Sequence, residues 1–213
     1  MNSPVEWRHT EFARVISCTH CTLDTDPNLV RDNGENVPQP GYIGPHYKTA
    51  RVLFVGRNPG TTKTLAAPDR AYTAALRTLR DDPTPERYKE LTAILKCFIP
   101  RWKIHNYFPL AESDLALDDI AYCNIVRCRT SGDAAPCALL AEQCVNEHFI
   151  RWLTQLAPKI VVFVNKTAWS YGHITVETKG IPCAFMNGKR SLSHVERMAN
   201  RAQVVTLIRK YRG

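Results

Sequence analysis

No apolar run in this 213-residue chain is long enough to cross a membrane. The longest, Ile160 to Val164, is bounded by Lys159 and Asn165 and reads as an interior strand. The opening MNSPVEWRHTEF sets no basic segment before an apolar one, so no secretory signal is expected and the protein is expected in the cytoplasm. Internal repeats and low-complexity tracts are absent, which excludes a solenoid or a disordered linker. Acid is scarce at the C-terminal end, where Glu196 alone follows Glu177. The turn GRNPGTTKT lacks a glycine directly before its Lys-Thr pair, since Thr62 precedes Lys63, and this excludes a Walker phosphate loop.

Apolar residues make up 44% and charged residues 23%, the mix of a globular domain, and the formal net charge of +8 favours a polyanionic partner. The basic residues cluster. His148, Arg151, Lys159 and Lys166 punctuate one stretch, and Lys189, Arg190, Arg197, Arg201, Arg209, Lys210 and Arg212 crowd the end, a distribution suited to phosphate contact. An evenly spread positive surface that aids solubility is the alternative.

Continuous apolar strands at Val52–Val55, Ile120–Val126, Lys159–Val164 and Ile181–Met186 alternate with helical patterns. The helices are expected at Asp69–Arg80, capped by Asp69, at Glu86–Cys97, at Pro136–Leu156 with Pro136 at its start, from Thr167, and at His194–Arg209. Residues 1–16 read as a short helix or arm, and residues 24–48, rich in Pro and Gly, as an irregular loop. The alternation predicts an α/β fold, three-layer α/β/α, with a mainly parallel central sheet of about four strands. One domain over 1–213 is expected, with the N-terminal segment 1–48 packed on it. A ligand site belongs beyond the carboxyl ends of such strands, where the turns after Val55, Val126, Val164 and Met186 converge.

Eight cysteines without a signal segment argue against a disulfide framework. Cys18 and Cys21 form a CxxC knuckle; Cys128 and Cys144, with fifteen residues between them, supply two more thiols from a loop and a helix. Together they complete a four-sulfur shell for zinc or an iron–sulfur cluster, unless the knuckle is incidental. Cys97, Cys123, Cys137 and Cys183 lie on apolar faces and read as small buried hydrophobes.

CxxC-x-L at Cys18–Leu23, VLFVGRNPG at 52–60, NIVRCR at Asn124–Arg129 and a helix carrying Cys144 follow in one order. That order resembles the iron–sulfur branch of the uracil-DNA glycosylase superfamily over roughly residues 18–187. The resemblance implies a [4Fe-4S] cluster on Cys18, Cys21, Cys128 and Cys144, with zinc as the alternative. It implies a monofunctional DNA glycosylase of base excision repair, a monomer that flips out and hydrolyses uracil or a related deaminated or modified base. A nucleic-acid-binding relative without catalysis is the other reading.

The residue roles follow from the same resemblance. The turn's GxNPG form is similar to the mismatch-directed and single-strand-selective branches, in which its Asn positions the hydrolytic water; here that is Asn58. Gly56 and Gly60 admit close approach of backbone to the base, with Arg57 between them in the substrate turn, and the small Gly60 leaves room for a substituted pyrimidine. Asn124 presents donor and acceptor to a pyrimidine edge. Tyr72 serves either as the stacking platform or as the core of its helix. No Lys nucleophile for strand cleavage is evident. The family's His-Pro motif after the last strand is missing. By position Asn187 replaces the His, by chemistry His194 does, and Lys189, Arg190 and Ser191 form a loop suited to DNA contact.

Overall fold

A computed structural model of the chain describes residues 6–30, 37–60, 67–187 and 192–212. The first half runs α1 (Glu6–Ile16), β1 (Leu29–Val30), β2 (Tyr42–Ile43), α2 (Tyr47–Ala50), β3 (Val52–Gly56), α3 (Ala67–Asp81) and α4 (Pro85–Phe98). The second runs β4 (Ile120–Asn124), β5 (Arg129–Thr130), α5 (Ala138–Cys144), α6 (Ile150–Leu156), β6 (Ile160–Phe163), α7 (Lys166–Glu177), β7 (Cys183–Phe185) and α8 (His194–Tyr211). Two compact units share these elements. The first comprises Met1–Pro40, Asn58–Pro100 and Val126–Cys144; the second comprises Gly41–Arg57, Arg101–Ile125 and Val145–Gly213.

The second unit holds a five-stranded sheet of order β2-β4-β3-β6-β7, flanked by helices, in the expected α/β class. β4, β3, β6 and β7 are parallel, and only the edge strand β2 is antiparallel. β3, β4 and β6 are buried along their whole length, which is why they read as unbroken apolar runs rather than alternating ones. Register aligns Gly56 with Asn124 and Val55 with Phe163. The chain leaves β3, β4, β6 and β7 on one edge, with the ladder prolonged by Ile125 N–H to Gly56 O at 2.8 Å and Val164 N–H to Val55 O at 2.9 Å. Phe54 and Tyr122, register partners on one face, enclose Phe108 at centroid distances of 4.6 and 5.4 Å.

α7 lies on β6 through Gly172, where an added Cβ would stand 2.6 Å from Cε1 of the fully buried Phe163. Gly172→Ala is therefore expected to lower stability by about 1–3 kcal/mol, read as an earlier denaturant midpoint. An unchanged midpoint would mean that Phe163 can move aside. Asn165 caps α7 by accepting the Thr167 N–H at 2.8 Å, and Ser193 and Glu196 form a capping box at the start of α8.

In the first unit α1, α3 and α4 pack together, with Phe12 edge-on to Tyr88 at 5.1 Å. α4 starts where Thr84 caps and Pro85 follows, one residue ahead of the expected Glu86. α3 begins at Ala67, so Asp69 falls within its first turn rather than capping it. The expected irregular loop 24–48 instead carries β1, β2 and part of α2; two-residue strands are too short to show a period. The helix expected at Pro136–Leu156 starts at Ala138 and passes through a π-turn at Val145–Phe149. Its start is displaced because Asp26 accepts the Cys137 N–H at 2.8 Å, leaving Cys137 as the capping position whose carbonyl receives Ala141 N–H at 3.1 Å.

Burial works to raise the Asp26 carboxyl, but the N–H groups of Cys137 and Asn28 outweigh it and hold the pKa below the usual carboxylate value. A group depressed by folding contributes stability above its unfolded pKa and loses it as pH falls through the folded one. The stability gap between wild type and Asp26→Ala should therefore be constant above about pH 5 and close below about pH 4. A gap unchanged down to pH 3, about one unit lower, would mean that Asp26 does not titrate there.

Candidate active site

Asn124 ends β4 at the carboxyl edge of the sheet, buried but polar, a position that apolar packing does not explain. Tyr122, two residues earlier, projects from the same strand face. Its hydroxyl donates to Asn124 Oδ1 at 2.8 Å. Gly56, the register partner of Asn124 on β3, makes room for this pair: a Cβ there would lie 2.5 Å from Asn124 Oδ1 and 3.1 Å from the Tyr122 hydroxyl. The glycine expected to admit a ligand thus admits the Asn124 amide. Arg57, half-buried, follows it.

Asn58, in the first unit, is buried with its Nδ2 donating to Thr130 Oγ1 at 2.8 Å and more weakly to Pro59 O at 3.3 Å. The Thr130 hydroxyl in turn donates a hydrogen bond to Ala134 O at 2.6 Å. Arg129, its neighbour on β5, donates to Gly60 O at 2.7 Å, so both ends of the NPG turn are fastened to β5. β5 is itself held by β1, with Leu29 opposite Thr130 and Val30 opposite Arg129. Arg127 is fully buried and donates to Pro40 O at 2.6 Å. The sequence points to NIVRCR as a motif but not to Arg129 and Thr130 as the clamp; only their place directly after Cys128 hints at it.

In the second unit a cleft of about 240 Å³ opens beyond β6 and β7, lined by Tyr107, Val164, Asn165, Lys166, Phe185 and Asn187 among others. Asn200 of α8 fixes its rim, accepting the Asn187 N–H at 2.7 Å and donating to Phe185 O at 3.0 Å. Asn187 therefore lies in a cleft at the sheet's carboxyl edge. His194 does not line that cleft: the capping box places it as the first residue of α8, exposed. Lys189, Arg190 and Ser191 lie outside the described residues. Tyr72 is buried in α3 with Leu76 and Leu79 on one helical stripe, so its ring is part of the packing and presents no open face.

Cys21, Cys128 and Cys144 are all buried, and Cys18 is half-buried. The Cys144 thiol is pushed well above its ordinary value by its hydrogen bond with Cys21, by burial, and by the charge of Cys128. Cys21 Sγ also contacts Gln143 Oε1 at 3.3 Å. Among the described residues no three ligand side chains are drawn tightly enough for a single metal ion. A polynuclear cluster, which spaces its thiolates around several ions, suits a looser gathering of sulfurs.

Of the four cysteines read as buried hydrophobes, only Cys123 is fully so. Cys97 is exposed, because it stands two residues beyond Leu95, about 200° around α4 from the buried stripe. Cys137 caps α5 and donates to Thr25 O at 3.1 Å. Cys183 is half-buried beside Glu177, and burial together with that carboxylate raises its pKa to about 11.

The basic clusters are partly committed within the fold. His148 is buried. Arg201 pairs with Glu112 at 2.6 Å, and Asp114 takes both Arg209 at 3.5 Å and Arg212 at 3.1 Å. Arg151 and Lys166 are exposed. Among the described residues no helix is long and apolar enough to cross a membrane.

No match was found among curated proteins. The family description "Uracil DNA glycosylase superfamily" matches residues 44–207, a span that contains the GRNPG turn, NIVRCR, Cys144 and Asn187 but begins beyond the CxxC pair. With most of the chain matched and a mostly parallel sheet flanked by helices, the chain belongs to the uracil DNA glycosylase superfamily.

Proposed function

We propose that this protein is a monofunctional DNA glycosylase that excises uracil or a related deaminated or 5-modified base. The observation carrying the reading is Asn124, a buried amide at the carboxyl end of β4 with Oδ1 held by Tyr122 and Gly56 beside it. A flipped pyrimidine is read by a group of this kind, since the base must leave the stack before its glycosidic bond can be reached. In the reaction the C1′–N bond breaks, the base departs as an anion, water supplies the oxygen that bonds C1′, and the proton this water releases neutralises the departed base through solvent. Asn58 orients that water through Oδ1 while Thr130 holds Nδ2; an amide takes no proton, so stabilising the departing anion supplies much of the rate.

Asn187 stands where the family places its His and donates a hydrogen bond to the leaving base. Gly60 leaves space around the 5-position. Lys189, Arg190 and Ser191 contact DNA, together with the exposed Arg151 and Lys166. The superfamily match supports DNA as partner.

A [4Fe-4S] cluster on Cys18, Cys21, Cys128 and Cys144 is part of the same proposal, with zinc as the alternative. The gathering of three buried thiols in the first unit supports it, and the group would supply a structural clamp rather than a chemical step. Purified protein is expected to be brown and to contain iron and sulfide; a colourless preparation with stoichiometric zinc would favour the alternative.

Alkali treatment after incubation with a uracil-containing oligonucleotide is expected to reveal abasic-site cleavage. Absence of abasic product with uracil and with every deaminated or 5-modified base tried would overturn the enzyme reading. The amide at 187 favours a second reading, a DNA-binding relative without catalysis, and the same assay separates the two.

A further inference from the structure

We infer that Tyr122 sets the specificity of this protein by fixing which way the Asn124 amide faces. This rests on the proposal that Asn124 reads a flipped pyrimidine. An Asn side chain presents a carbonyl and an NH₂ of nearly equal size, and rotation by half a turn about its last bond exchanges them. An amide free to rotate offers a donor to uracil's 4-oxo group or an acceptor to cytosine's 4-amino group with equal ease. In this chain it is not free. The Tyr122 hydroxyl lies 2.8 Å from Oδ1, and both side chains are buried.

A phenol is a strong donor and a poor acceptor, because its oxygen lone pairs are delocalised into the ring. It therefore favours the amide carbonyl over the NH₂. Among the described residues no other side chain or backbone group engages Asn124 Nδ2, which leaves that donor for the base. Oδ1 keeps a second lone pair for the uracil N3–H; cytosine offers no proton there. The Tyr122 ring is in turn fixed against Phe108 at 5.4 Å, which stacks on Phe54 at 4.6 Å. Gly56 completes the seat, since a Cβ would come within 2.5 Å of Oδ1 and 3.1 Å of the Tyr122 oxygen. Tyr122 thus acts through Asn124 as a positioning residue.

The test is a binding preference, measured on full-length protein with DNA carrying one cleavage-resistant, sugar-fluorinated deoxyuridine or deoxycytidine. Wild type is expected to favour the uridine probe, and Tyr122→Phe to reduce the ratio of the two affinities about tenfold. Gly56→Ala reaches the same amide from the opposite strand and is expected to erode the same ratio. A merely structural role for Tyr122 would weaken both probes alike and leave the ratio untouched; that result, or a wild type that does not distinguish the probes, overturns the inference. Because the probes resist cleavage, a preference that is present in wild type and lost in Tyr122→Phe upholds the inference even where uracil excision fails and the catalytic reading falls.

Discussion

Replacing Asn58 by alanine is expected to slow base excision by about a hundredfold or more while leaving DNA affinity within a few-fold of wild type. The expectation follows from where its two amide atoms are committed. Nδ2 is held at 2.8 Å by Thr130, whose own proton goes to Ala134 O, so the donor end of the amide is structural and the carbonyl end is set in one direction. In this reading, removing the amide removes the acceptor for the water. Displacement of the amide matters almost as much as its loss, since an error of about 1 Å in a reacting geometry can cost a hundredfold. Thr130→Val should therefore slow excision about tenfold with an unchanged KM, and Thr130→Ser, which keeps the hydroxyl, should recover most of it. Equal loss of binding and cleavage in Asn58→Ala would make the turn a structural element only.

Cys144→Ser is expected to have the largest effect on folding. As a ligand of a resident cluster it would contribute to a binding free energy that is also folding free energy, and its loss should destabilise the protein by more than about 4 kcal/mol. Iron and sulfide content should fall with it. Were Cys21, Cys128 and Cys144 only packed thiols, the serine hydroxyl would cost about 1–3 kcal/mol as a poorly satisfied buried group and no metal would be lost. Thermal melting alongside metal analysis separates the two outcomes.

The parts of the fold that could be read from the sequence are those in which burial is written into consecutive residues. Val52–Val55 and Ile160–Phe163 are covered on both faces, and an unbroken apolar run has no other use at that length. β2 escaped notice because Tyr42 and Ile43 sit between Gly41 and Gly44 and owe their strand conformation to pairing with β4, a partner far along the chain. β1 and β5 likewise exist through each other. Among the candidate residues, Asn58 and Asn124 stand out because amides that close apolar strands need a reason. Tyr122 does not stand out: in IAYCN an aromatic residue reads as core, and only the period of two that puts it on the face of Asn124 betrays its second task. Arg129 and Thr130 were hidden for a related reason, since their partners Gly60 and Asn58 lie about seventy positions earlier. The helix expected from His194 does begin there, on the capping box of Ser193 and Glu196, and this fixes His194 at its exposed first turn.

β5 is two residues long, yet Arg129 secures Gly60 and Thr130 secures Asn58, directly after Cys128. Two successive positions thus carry two separate attachments with no spare residue between them, and the proposed cluster would add a third at Cys128. Such a stretch has no room for drift in length: one inserted or deleted residue would put every attachment out of step at once, whatever its identity. Descendants of this chain can exchange side chains along the neighbouring surface one at a time, but here they must inherit the spacing whole.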